Sequence, residues 1–238
     1  LNENFPNVEF IDFAGGELLF QKQFFPTLKK LAEHPNAKNM LISFHTNFNA
    51  EFSVDELSSL LEPFKESCII ISVDAGQRIY SYFRNGGKWD KLKSNIEEFR
   101  KINSFSHIDI SCTTSIYQIL EIKDLFESFH QLKCNFDASI VQTPPYINPA
   151  IVMFDYEKET LKDLNETEEY IDKYIGPFNY NAKYWFDYIV DYVTNTKIKY
   201  KHFNRFLVYR KKSDEIWKQN FNDYFVNYQI EDDELIRV

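Results

Sequence analysis

Residues Val8–Leu19 read VEFIDFAGGELL, an apolar run stopped by two adjacent glycines and a glutamate. The chain has only 6 glycines in 238 residues, and four of them fall in two pairs, Gly15-Gly16 and Gly86-Gly87. That is sparing against the roughly 7% of average proteins. Paired glycines in such a chain mark backbone that takes positive φ or approaches something closely. Val8, Phe10, Ile11 and Phe13 predict a strand, so Gly-Gly-Glu brings free backbone groups and one negative charge to the strand's C-terminal end. In α/β folds that end is where ligands bind. The combination suits a small cation such as an ammonium. A tight strand-to-helix turn with a solvent-facing Glu17 is the alternative.

Working outward, strand-like and helical patterns alternate. Strands are predicted near 8–13, 40–45, 68–73, 107–113 and 136–142, and helices near 22–34, 54–66, 88–102 and 117–131. Ser53 and Glu56 have capping-box spacing before the second helix, whose Leu57, Leu60, Leu61 and Phe64 recur at helical period. The alternation predicts parallel strands with right-handed crossovers. A doubly wound sheet and a barrel both satisfy it. PYINPAIVMFDY (145–156) reads as a connection, and the alternation ends beyond it. We expect an α/β domain over 1–146 and a connection with a helical C-terminal extension over 147–238. In the extension, Tyr184, Trp185, Tyr188, Ile189, Tyr192 and Val193 predict an apolar stripe, with further helices over 200–211 and 213–228.

Composition narrows function. The chain is 44% hydrophobic and 26% charged, with a net charge of −9. An acidic balance disfavours non-specific binding to nucleic acid or anionic membrane, which needs basic patches. No apolar run approaches the roughly 20 residues of a spanning helix. Cys68, Cys112 and Cys134 are widely spaced, form no Cys-x2-Cys pair, and read as free buried thiols in a reducing, cytoplasmic compartment. The five histidines show no ligand spacing, and His45 is expected to be structural. No Gly-x-Gly-x-x-Gly or phosphate-loop pattern occurs.

Several motifs follow Gly-Gly-Glu in order: HTN (45–47), SVDAG (72–76), YFRNGGKW (82–89), TSIYQI (114–119) and TPPYI (143–147). The series resembles the radical SAM superfamily, within it the SPASM/twitch type, and most nearly the group whose twitch domain lies N-terminal to the barrel. The family text is F-A-G-G-E-P-L, T-N, S-I-D-G and Y-I-R-x-G-x-x-W. The resemblance runs from about Val8 to Tyr146, with a weaker trace over 203–221. Leu18 stands where the family has Pro, and Ala75 intervenes before Gly76. The Cys-x3-Cys-x2-Cys cluster motif is absent. The chain begins at Leu1 without an initiator Met, so we read it as a fragment whose cluster-binding part lies upstream.

The resemblance implies a partial (β/α)6 barrel missing its first β/α unit. It implies S-adenosylmethionine as cofactor and a [4Fe–4S] cluster with ligands upstream of Leu1. Gly15, Gly16 and Glu17 would receive the methionine ammonium, and Ser72 and Arg84 its carboxylate. Thr46 and Asn47 fit a ribose or methionine contact. Asp74 would orient a loop, touch ribose or meet substrate. Thr113, Thr114 and Ser115 would approach ribose or adenine, with adenine near Val141–Thr143. Trp89 and Asn95 are expected to pack and cap. The implied substrate is a peptide, protein or related macromolecule, with a reductant serving the full-length parent. This chain alone is expected to be inactive. The competing expectation is a non-catalytic module that kept the barrel and lost the cluster.

Overall fold

The computed structural model describes residues 8–103, 106–153, 156–175, 180–225, 227–231 and 234–237. Five strands form one sheet: β1 Phe10–Phe13, β2 Leu41–Thr46, β3 Glu66–Ser72, β4 Ser106–Thr114 and β5 Asn135–Ile140. Their order is β1-β2-β3-β4-β5. β2 pairs in parallel with β1, Phe13 opposite Phe44, and with β3, Thr46 opposite Ile71. A doubly wound sheet reverses its strand order at a switch point. An order that follows the sequence throughout has no such point and is that of a barrel-type winding.

The connecting helices are α1 Phe24–Ala32, α2 Val54–Leu61, α3 Tyr80–Phe83, α4 Trp89–Ile102, α5 Ile116–Leu120 and α6 Ile122–Leu132. Each of the longer ones turns an apolar stripe inward. Leu28 and Leu31 of α1, Leu57 and Leu61 of α2, and Leu92, Ile96 and Phe99 of α4 are buried. Ser53 caps α2 by accepting the N–H of Glu56 at 3.1 Å. The helix expected over 117–131 breaks at Glu121, whose backbone (φ −130°, ψ 38°) is non-helical. Its buried carboxylate is anchored by Arg78 at 2.5 Å.

Beyond β5 come α7 Glu157–Tyr170, a π-helical turn Ile171–Ile175, α8 Tyr180–Asn195, α9 Lys201–Trp217, and an antiparallel pair β6 Tyr228–Glu231 and β7 Glu234–Arg237. Three expectations are corrected here. The buried face of α8 is Ala182, Phe186, Ile189 and Val193, while Tyr184 is 63% exposed and Tyr188 39%. The aromatic run spells a wider apolar stripe than one helix face can turn inward. The helices expected over 200–211 and 213–228 are one helix ending at Trp217, because Arg210 and Asp214 pair across one turn where a break was expected. Residues 228–231 are strand.

The chain divides into two compact units, residues 1–72 with 88–110 and residues 73–87 with 111–238. The core of the first is Phe24, Ile42, Phe44, Phe48, Ile69 and Phe99; the second packs Phe126, Phe136, Phe186, Phe206, Phe221 and Phe225.

Candidate functional site

In the first unit Glu17 ties the C-terminal ends of β1 and β2 together. Gly15 (φ +106°) and Gly16 (φ +63°) take positive φ. A side chain at either position would be strained, which accounts for the glycine pair. The loop delivers Glu17 to the head of a 3-10 turn, Leu18–Phe20, that buries Leu18 and Leu19. One carboxylate oxygen accepts the Leu19 N–H at 3.2 Å and the Thr46 hydroxyl. The other accepts the Asn47 N–H at 2.6 Å. The Gly15 carbonyl accepts the Gln21 amide at 3.2 Å.

The loop after β2 is fixed in turn. Phe48 is fully buried at φ +54°, unusual for a bulky residue. Its N–H donates to Thr46 Oγ1 at 3.0 Å, its carbonyl accepts Asn95 Nδ2 at 2.9 Å, and its ring packs on Phe52 and Phe99. Asn47 Oδ1 accepts the Asn49 N–H at 2.8 Å. Asn95 therefore acts from α4 by holding a backbone, and Trp89 is buried at the start of that helix. Ser72, the last residue of β3, is half-buried and follows Ile71, the partner of Thr46.

In the second unit the SVDAG and YFRNGG segments meet through an ion pair, Arg84 Nη2 to Asp74 Oδ2 at 2.6 Å, partly exposed on both sides. Asp74 Oδ1 also accepts the Thr113 N–H at 3.3 Å. Two of the residues expected at the site are thus partners of one another. Gly76 lies so close to α6 that a Cβ would sit 2.7 Å from the Asp124 carbonyl oxygen. Arg78 and Gln77 donate their N–H groups to Asp124 (3.2 Å) and Ser128 (2.8 Å), pinning the segment. Tyr82 and Phe83 pack against Tyr117, and the Tyr82 hydroxyl donates to Asp214 at 2.8 Å. Burial raises the Tyr82 pKa far above the usual phenol range, with Tyr117 and Asp214 adding to it.

Thr114, the last residue of β4, is buried on the same face as Cys112. Burial, then Asp74, pushes the Cys112 pKa up. The Thr114 carbonyl accepts the Val141 N–H at 2.9 Å. Thr113 is exposed and its Oγ1 accepts the Ser139 hydroxyl at 3.4 Å.

Two residues that matter here escaped the sequence reading. Gln118 is 1% exposed. Its Oε1 accepts both the Ser115 N–H (2.7 Å) and hydroxyl (2.6 Å), and its amide nitrogen donates to the Asp74 carbonyl. The Ser-x-x-Gln spacing of a capping box was the available signal. Phe48 gave no signal, because nothing in Asn-Phe-Asn announces a left-handed phenylalanine.

The cysteines are free. Among the described residues no three His, Cys, Asp or Glu side chains are grouped to hold a metal ion. The residues present do not fit a [4Fe–4S] cluster. No described helix is long and apolar enough to cross a membrane.

No family model matches the sequence. No curated protein matches it significantly. Among solved structures, the chain is similar to native anSMEcpe with bound AdoMet, at 20% identity and TM-score 0.45, over 68% of this chain and 49% of the other. It is likewise similar to native anSMEcpe with bound AdoMet and Cp18Cys peptide, at 19% identity and TM-score 0.44, over 65% and 48%. The chain spans about half the length of these structures. At these TM-scores neither likeness establishes a shared fold.

Proposed function

We propose that this chain is the S-adenosylmethionine-binding barrel portion of a radical SAM enzyme acting on a peptide, protein or related substrate. The observation that carries the reading is the Glu17 carboxylate, held at the ends of two parallel strands by Thr46 and Asn47 and preceded by two glycines in positive φ. A carboxylate accepts about four hydrogen bonds, and three are used. The remaining acceptor position fits an ammonium, and a charge-assisted bond there is of the stronger kind. Gly15, Gly16, Asn47 and Ser72 surround this role in the proposal. In the second unit Asp74, Arg84 and Thr114 are proposed as cofactor contacts, Arg84 exchanging its hold on Asp74 for the methionine carboxylate.

When bound alongside a reduced cluster, the cofactor supplies the radical that abstracts hydrogen from substrate. In this proposal the cluster ligands belong to another part of the parent protein, since the three cysteines here do not form a set. The chain's own residues bind and orient the cofactor.

A second reading is favoured by the internal pairing itself. Glu17 is engaged by three protein donors, and Arg84 is neutralised by Asp74. A barrel kept for recognition alone would close its ionic groups in this way. Calorimetric titration with S-adenosylmethionine separates the two. The cofactor reading expects saturable binding, weakened roughly five- to thirty-fold by Glu17→Gln. Arg84→Lys also weakens it, because an ammonium cannot reproduce the planar fork. The exposed control Lys101→Ala leaves it unchanged. Equal affinity in all four proteins hands the case to the recognition module.

A further inference from the structure

Residues 197–212 carry Lys197, Lys199, Lys201, Arg205, Arg210, Lys211 and Lys212 with no Asp or Glu among them. Seven of the chain's 27 cations thus lie in one short stretch of a protein whose net charge is −9. Most of the stretch is helix α9. One face of α9 is core: Phe203, Phe206, Arg210 and Asp214 are buried, and Arg210 is spent on Asp214. The opposite face is exposed, with Val208 56% and Ile216 70% accessible. Between them lies a shallow groove of about 470 Å³ lined by Tyr146, Asn204, Arg205, Val208, Tyr209 and Lys212. The Tyr146 and Tyr209 rings, 5.1 Å apart, form one wall. Among the described residues no ion pair involves Arg205 or Lys212. The local positive field also acts on His202, whose pKa is lowered by burial first and then by Lys201, Arg205 and Lys199.

We propose that this face of α9 is a docking site for an acidic amphipathic helix of a partner polypeptide. Arg205 and Lys212 stand seven residues apart on one helix, roughly 10 Å at 1.5 Å per residue. Two carboxylates seven apart on a partner helix share that spacing and one face. An extended strand covers the same distance in about three residues, which turns the two carboxylates to opposite faces. A large apolar side chain between them meets Val208 and the tyrosine wall. This is helix-in-groove recognition with a cation at each end of the groove. A polyphosphate is the poorer occupant, because it gains nothing from the aliphatic Val208 and Ile216. The inference stands on α9 alone and is independent of cofactor binding.

The test uses the whole chain without added cofactor and a fluorescein-labelled helical peptide of about 16 residues, with Glu at positions i and i+7 and Leu between. Controls are a scramble of the same composition and a single-stranded oligonucleotide of similar length. Anisotropy at low salt is expected to give saturable binding, at least roughly tenfold tighter for the patterned peptide than for the scramble, and weakening as salt rises. The double substitution Arg205→Glu/Lys212→Glu is expected to lose that preference. Val208→Asp is expected to weaken binding several-fold. All three residues are exposed, and unchanged circular dichroism melts establish that the variants are folded. Equal binding of patterned and scrambled peptide overturns the proposal, as does retained preference in the double variant. Tighter binding of the oligonucleotide assigns the face to nucleic acid instead. Self-association abolished by the double variant assigns it to a second copy of the chain.

Discussion

The carboxylate of Glu17 accepts the backbone N–H of Asn47 at 2.6 Å, across 30 residues of chain. One side chain thereby joins the ends of β1 and β2, and its second oxygen takes the Thr46 hydroxyl and the Leu19 N–H. The residue expected to meet a ligand is also a structural clamp.

Glu17→Gln therefore has a cost apart from any ligand. The amide keeps one acceptor oxygen and turns an NH2 toward groups that already donate. The loss is about 2 kcal/mol, a fall in Tm of roughly 4–8 °C for a chain of this size. Thermal denaturation without cofactor checks it. An unchanged Tm means the clamp contributes nothing and Glu17 is free to serve a ligand alone.

Gln118→Leu keeps the shape and removes the polar atoms from a site that is 1% exposed. The Ser115 N–H and hydroxyl and the Asp74 carbonyl lose their partner together. Three orphaned groups, of which the hydroxyl can turn elsewhere, cost about 2–4 kcal/mol. Gln118→Glu is expected to be worse, because it loses the donor to Asp74 and buries a charge. Urea unfolding ranks them. A glutamate variant as stable as wild type contradicts the assignment.

Asp214 accepts from Arg210 at 3.0 Å, the Tyr82 hydroxyl at 2.8 Å and the Phe221 N–H at 3.1 Å. Asp214→Ala leaves the Arg210 cation largely buried and is expected to destabilise by about 3–5 kcal/mol. Tyr82→Phe removes one bond and is expected to cost about 1 kcal/mol. Comparable losses in the two variants would deny Asp214 its place as the hub.

Asp124 has a pKa raised from 3.8, chiefly by burial and against the opposing charge of Arg78. The folded state then holds its proton to higher pH than the unfolded chain does. This group's contribution to stability is present at and below about pH 4 and declines as pH rises through the raised pKa. Asp124→Asn is expected to remove that decline. Denaturation from pH 3 to 7 reads it, and a slope identical to wild type rejects it.

Cys68 has a pKa pushed up to about 12, by burial first and then by Asp109. Three units above the reference value of 9.0 cut its thiolate fraction roughly a thousandfold. Its alkylation in the folded chain at pH 8 is expected to be slow by about that factor relative to the urea-unfolded chain. Rapid native labelling of Cys68, followed by peptide mass spectrometry, is the contrary result.

Periodicity and turn chemistry determined the α/β alternation, because each strand and helix announces its own buried face locally. They placed β1 to β5, α1 and α4 within two residues, while α2 ends at Leu61 and not at the expected 66, with Phe64 buried from the turn beyond it. Gly-Gly-Glu at a strand end was legible for the same reason, since positive φ is a local demand. The C-terminal 90 residues were less legible. The run of α9 through Ser213 rests on Asp214, whose partners come from helix α3, from α9 itself and from the turn at Phe221. The exposure of Tyr184 and Tyr188 depends on which face of α8 finds a neighbour. Pairing decided the rest. Nothing in the spelling says that Asp74 takes Arg84, that Gln118 reaches the Asp74 carbonyl, or that Glu17 grips Asn47. Those bonds join groups far apart in sequence, and their partners exist only once the strands have stacked and brought their ends together.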